Sequence, residues 1–132
     1  MVFIDASFFL AYYNSRDLHH TKALALWSDI EKGKYGSYFT TDYIFNEVVG
    51  VTLRKLEKKI ALVMGEQILK TIFILNIDDH LLIDAWRLFS TTQFNFNLVD
   101  CTSITAIKTM NIHQIATFDK EFNNLRNIKV VQ

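Results

Sequence analysis

The chain has 132 residues with 14 basic and 14 acidic side chains, half of its residues are apolar, and it holds one cysteine and no proline. That composition excludes a disordered chain and an internal disulfide, and gives no basic excess to attract nucleic acid by bulk charge. The length suffices for a core of its own, so residues 1–132 are expected to form a single domain. With no apolar run near twenty residues and no leader pattern, the expected setting is cytoplasmic, with no membrane segment.

Val2-Phe3-Ile4-Asp5-Ala6-Ser7 opens the chain. Its continuous apolar run suits a strand buried on both faces, with Asp5 at the carboxyl end, where open α/β sheets bind ligands. Ala6 to Tyr13 follows as a short helix. Asp17 is the expected N-cap of the next one, whose stripe runs Leu18, Ala23, Leu26 and Ile30 and which ends at Lys32-Gly33-Lys34. Ser37 to Thr40 suits a second strand, and Thr41-Asp42 caps a helix expected to reach Lys58, with Phe45, Val48, Val49, Thr52, Leu53 and Leu56 inward.

A helix over Ile60 to Lys70 leads to Thr71-Ile72-Phe73-Ile74-Leu75-Asn76, the strongest strand signal in the middle of the chain. Asp78 or Asp79 caps a helix to Thr91 that turns Leu82, Ala85, Trp86 and Phe89 inward. Phe94 to Val99 reads as a connector, and Asp100 opens a helix to Met110. Ile115-Ala116-Thr117-Phe118-Asp119 repeats the strand-then-aspartate pattern. A turn of helix near Asp119–Phe122 and a strand at Ile128–Val131 close the chain. Strands alternating with helices indicate an α/β domain with a central, mainly parallel sheet flanked by helices in three layers.

Four acids stand where packing alone would prefer something else. Asp5 and Asp119 end strands. Glu47 has Tyr43, Ile44 and Val51 as helical neighbours, and Gly50 leaves room beside it. Asp100 extends the face that carries Ile104 and Ile107. Each aspartate alone reads as a helix cap; the coincidence of four points to one rim. Two carboxylates about 5 Å apart repel by roughly 3 kcal/mol at an effective dielectric of about 20. Such a group needs a proton or a hard cation, and oxygen donors select Mg²⁺ or Mn²⁺ over zinc. The four histidines form no zinc pattern and are read as surface residues. Tyr12, Tyr13 and Tyr43 are read as packing residues.

Phe3-Ile4-Asp5-Ala6-Ser7, Thr40-Thr41…Glu47, Asp100-Cys101-Thr102-Ser103 and Thr117-Phe118-Asp119…Phe122, in that order, resemble the PIN-domain ribonucleases, and among them the small single-domain VapC-type toxins. The resemblance spans nearly the whole chain. It implies that Asp5, Glu47, Asp100 and Asp119 hold Mg²⁺ or Mn²⁺ and cleave single-stranded RNA, with Ser7 as a supporting hydroxyl and Thr102 and Ser103 as further polar support. Cys101 departs from the family's usual alanine, a change of small side chains that packing tolerates. The resemblance also implies an antitoxin partner and a homodimer. Arg54, Lys55, Lys58 and Lys59 are the candidate RNA contacts, through phosphate charge. Two other readings are a non-catalytic RNA- or partner-binding module of the same fold and a receiver-type Mg²⁺-binding signalling domain.

Overall fold

The sheet is built outward from β1 (Val2–Ile4), whose three side chains are 0% exposed because strands flank it and helices cover it on both faces. The structure, a computed structural model, describes residues 1–132. β1 is followed by α1 (Ala6–Tyr13), α2 (His20–Glu31), β2 (Tyr38–Thr41), α3 (Asp42–Lys55) and α4 (Lys58–Thr71). Then come β3 (Phe73–Leu75), α5 (Asp79–Thr91), α6 (Leu98–Thr109), β4 (Gln114–Ala116), a 3₁₀ turn (Lys120–Asn124) and β5 (Lys129–Val131). All pairings are parallel and the spatial order is β3-β2-β1-β4-β5.

Right-handed crossovers put α1 to α4 on one face of the sheet and α5, α6 and the 3₁₀ turn on the other. The order reverses between β1 and β4, and a doubly wound sheet opens its ligand crevice at that switch point, beyond the carboxyl ends of the strands. Asp5 follows β1 and Thr117 to Asp119 follow β4, so two of the four acids flank the crevice. Receiver-type domains run 2-1-3-4-5; the order found here excludes that alternative.

Phe3 and Phe39 meet edge to face at 5.2 Å in the core, and the Thr40 hydroxyl donates to the Ile4 carbonyl at 2.8 Å, tying β2 to β1 beside Asp5. Thr41 caps α3 through the amide of Ile44. No helix is long and apolar enough to cross a membrane.

Several elements depart from the sequence reading. The N-cap of α2 is His19; Asp17 instead accepts the His19 amide, and Leu18 is 91% exposed, outside the stripe of Ala23, Leu26 and Ile30. α3 stops at Lys55, where Leu56 leaves helical geometry (φ −117°, ψ −105°) without a glycine or proline to signal it. Its buried residues are Ile44, Val48 and Thr52, the last with its hydroxyl 3.6 Å from the Met64 sulfur of α4, while Phe45 and Val49 lie over Gly65 of α4, where a Cβ would stand 3.7 Å from each. Leu53 points outward. The Thr71–Asn76 run shortens to an edge strand with Phe73 exposed.

α5 turns Ala85 to α6, but Trp86 (57%) and Phe89 (40%) are exposed rather than inward. The helix has apolar residues on two faces, so periodicity alone does not choose which one packs. α6 starts at Leu98, two residues before Asp100.

These packing differences give a direct test on α2. Ile30→Ala is expected to lose about 2–5 kcal/mol, as a fully buried aliphatic does. Leu18→Ala should stay within about 0.5 kcal/mol of the parent. Urea midpoints at unchanged slope measure both, and a comparable loss for Leu18→Ala would contradict the packing described.

Candidate active site

Asp5 is 4% exposed and begins α1 as its N-cap. Its Oδ2 accepts from the Ser7 hydroxyl (2.7 Å), the Thr117 hydroxyl (2.7 Å) and the Ser7 amide (3.3 Å). Each hydroxyl in turn accepts a backbone N–H from beyond β4: Phe118 to Ser7 Oγ at 2.9 Å and Asp119 to Thr117 Oγ1 at 3.0 Å. Two chains of donors thus run from the β4 end onto one carboxylate oxygen, each bond polarising the next. Oδ1 takes none of these bonds. No buried side-chain nitrogen or oxygen lacks a partner.

The other aspartates follow the same pattern. Asp100 is the N3 member of a capping box on α6: its Oδ2 accepts the Asn97 amide, and the Asn97 side chain accepts the Asp100 amide, both at 2.8 Å. Asp119 caps the 3₁₀ turn by accepting the Glu121 amide on Oδ1 at 2.9 Å. Each spends one oxygen on a helix start and keeps the other uncommitted. Glu47, half-buried in the middle of α3, has burial and the charge of Asp5 as its only perturbing influences.

Four elements therefore bring the four acids within electrostatic reach of one another. Burial pushes the Asp100 carboxyl up to about 7, with the charges of Asp5, Asp119 and Glu47 adding and the Asn97 amide opposing. Burial raises Asp5 above the carboxylate range despite its hydrogen bonds, and burial followed by the Asp5 charge raises Glu47. No three of the acids close into a finished ligand set; they are coupled through space and spread around the crevice, as uncompensated like charges should be.

Ser7 donates its hydroxyl and its amide to Asp5 Oδ2, the contact a supporting hydroxyl would make. Thr102 and Ser103 do not: both hydroxyls donate to the Val99 carbonyl of their own helix, and both residues are fully buried. Cys101 is also fully buried, and burial raises its thiol, followed by the charge of Asp100, so it packs as a small inert side chain. Arg54, Lys55, Lys58 and Lys59 are exposed and in no ion pair, with the Arg54 guanidinium lying over Gly50, 3.4 Å from where a Cβ would stand. The space over Gly50 is thus taken by an arginine. Sequence reading missed Thr117 and Asn97. Asn97 three residues before Asp100 is a legible capping-box spacing; Thr117 carried only the weak signal of a hydroxyl in an apolar strand.

A family model described as PIN domain matches residues 2–128. The VapC ribonuclease of Archaeoglobus fulgidus is 26% identical over 125 residues, covering 91% of this chain and 78% of the relative. Among solved structures, the Mycobacterium tuberculosis VapC20 toxin, described as cleaving the sarcin-ricin loop, superposes with a TM-score of 0.88 at 21% identity over 97% of both chains. A chain of a toxin-antitoxin complex from Klebsiella pneumoniae superposes with a TM-score of 0.68 at 15% identity, covering 100% of this chain and 97% of that one.

The raised Asp100 carboxyl fixes the sign of a pH effect. Its ordinary value is 3.8 and its folded value about 7, so the folded protein holds the proton more tightly. The resulting stabilisation is complete below the ordinary value and lost as pH rises through the folded one. In chelator, Asp100→Asn should therefore melt above the parent at pH 8, by roughly 5 °C. The difference should close as pH falls to the ordinary carboxylate range. A variant that melts below the parent at pH 8 would refute the charge penalty.

Proposed function

We propose that this chain, which belongs to the PIN-domain family, is a divalent-metal-dependent endoribonuclease acting on single-stranded RNA, the toxin of a toxin-antitoxin pair. The single observation that carries this reading is geometric: Asp5, Asp100 and Asp119 each commit one carboxylate oxygen to a helix start and keep the other uncommitted, with Glu47 near enough to feel the charge of Asp5. A binding module gains nothing from such an arrangement, whereas a cation site requires it.

The donor set fits Mg²⁺ or Mn²⁺: all oxygen, up to four negative charges, and an uncommitted oxygen on each aspartate. Asp5, Glu47 and Asp100 would hold the ion, and Asp119 would complete the set. A bound cation supplies an activated water and offsets the charge that builds on the phosphate. Ser7 and Thr117 hold Asp5 in one orientation by fixing its Oδ2. The capping box does the same for Asp100. The free oxygen of Asp119 accepts a hydrogen bond from the attacking water and orients it toward the phosphorus.

Arg54, Lys55, Lys58 and Lys59 supply the positive surface that the overall charge balance does not. Lys58 and Lys59 occupy the first turn of α4, directly after its N-cap Glu57, and can meet a phosphate through charge. Two apolar surfaces support the proposed protein partners. A groove of about 190 Å³ between α1, α2 and α4, lined by Phe9, Tyr12, Tyr13, Trp27 and Ile68, suits the apolar face of an antitoxin segment. The exposed Ile83, Trp86 and Phe89 of α5 suit a second copy of the chain.

Cleavage of single-stranded RNA is expected with millimolar Mn²⁺ or Mg²⁺ and not with chelator. Asp5→Asn should fall to background, and Ser7→Ala or Thr117→Val should lose about 10- to 100-fold as supports of a ligand. An Asp5→Asn protein that cuts at the parent rate would sink the reading. Independently of turnover, Mn²⁺ should raise the melting temperature more at pH 8 than at pH 5.5, because binding must first displace the Asp100 proton. Equal shifts at the two pH values would argue that the ion binds elsewhere.

A further inference from the structure

One aromatic column leads from the core to the crevice and is not used by the mechanism above. Tyr12, Phe8, Phe118 and His19 are stacked in sequence. Tyr12 and Phe8 lie 19° from parallel at 6.1 Å, Phe8 and Phe118 11° at 6.4 Å, and Phe118 and His19 3° at 4.7 Å. Phe8 is fully buried, while His19 is only partly covered. His19 is therefore the outer member, and no other aromatic ring stacks on it.

The column ends beside the acids. Phe118 lies between Thr117, which binds Asp5, and Asp119, and its own amide binds the Ser7 hydroxyl. The main chain of His19 is pinned by Asp17, whose carboxylate accepts the His19 amide at 2.8 Å, and by the first turn of α2. Its ring makes no hydrogen bond within the protein, unlike that of His20, which is 2.8 Å from the Ala11 carbonyl. A flat ring, stacked at one face on Phe118, the residue directly before Asp119, thus stands partly covered with no hydrogen bond of its own.

We propose that His19 is a base-stacking residue: an unpaired nucleobase next to the scissile phosphate stacks on the imidazole as the next layer of the column. The inference rests on the ribonuclease reading for its ligand class. Every nucleobase has a π face, so the contact anchors the strand without selecting its sequence. It also explains how a chain with no basic excess holds a single strand in register, since stacking supplies affinity that phosphate charge alone does not. Duplex bases are already stacked and cannot join the column, which restricts the site to single strands.

The test uses the full chain and a single-stranded oligoribonucleotide in which 2-aminopurine is moved stepwise along the strand. Binding is read in the Asp5→Asn background and turnover in Mn²⁺. His19→Ala should raise KM about tenfold with kcat little changed, and abolish the fluorescence quench at one 2-aminopurine position. His19→Phe, which keeps the flat face and removes the nitrogens, should retain the quench and stay within about threefold of the parent KM. If His19→Phe is as impaired as His19→Ala, the nitrogens and not the face bind RNA, and the proposal is overturned. It is equally overturned if His19→Ala lowers the melting temperature while KM and quench stay at parent values, since the column is then only packing. A parent that shows a His19-dependent quench but never cuts would support the stacking site and refute the nuclease reading instead.

Discussion

Asp5 Oδ2 is the fixed point of the molecule. Three donors converge on it from two segments 110 residues apart, and they join the end of β1, the start of α1 and the end of β4 in one network. The sheet order places β1 beside β4; the network then decides how the two strand ends sit across the crevice. Burying a carboxylate costs several kcal/mol unless it is hydrogen-bonded or paired. Here the bonds from Ser7 and Thr117 all fall on a single oxygen.

The same division recurs at Asp100 and Asp119. Helix starts need an acceptor for their orphan amides, and a short aspartate serves well. An aspartate also has two oxygens, and a cap uses one. Capping and ion binding are therefore not competing explanations of these residues: the cap is what aims the carboxylate. Glu47 differs because it lies in mid-helix, where no amide is orphaned, and its longer side chain reaches the group without such a tether. Tethered backbones also explain why the four acids keep their mutual repulsion. Burial is what chiefly raises the carboxyls of Asp5, Glu47 and Asp100, the neighbouring carboxylates add to it at Glu47 and Asp100, and the hydrogen bonds on Asp5 and Asp100 oppose it.

Around this centre the surface is differentiated although the net charge is zero. Unpaired cations gather at the end of α3 and the start of α4, apolar side chains at α5 and in the groove of α1, α2 and α4, and an aromatic column at the crevice mouth. Bulk composition averages these regions away.

The order of elements and the parallel sheet were legible in the sequence because each rests on local chemistry. Val2-Phe3-Ile4 is apolar without alternation, which only a strand covered on both faces accommodates, and Asp5 and Asp119 follow such runs directly. Ala6–Tyr13 was read to the residue because a strand-ending aspartate caps it. What the sequence did not decide was which of two apolar faces packs, as on α5, where Trp86 and Phe89 compete with Leu81, Leu82 and Leu88 at equally helical spacing. Nor did it show where α3 breaks, since Leu56 and Glu57 carry no stop signal. Thr117, Thr102 and Ser103 are alike as isolated hydroxyls. Only the fold separated them, because a hydroxyl's role depends on which acceptor lies within about 3 Å, and that is a tertiary distance that residue type and spacing do not encode.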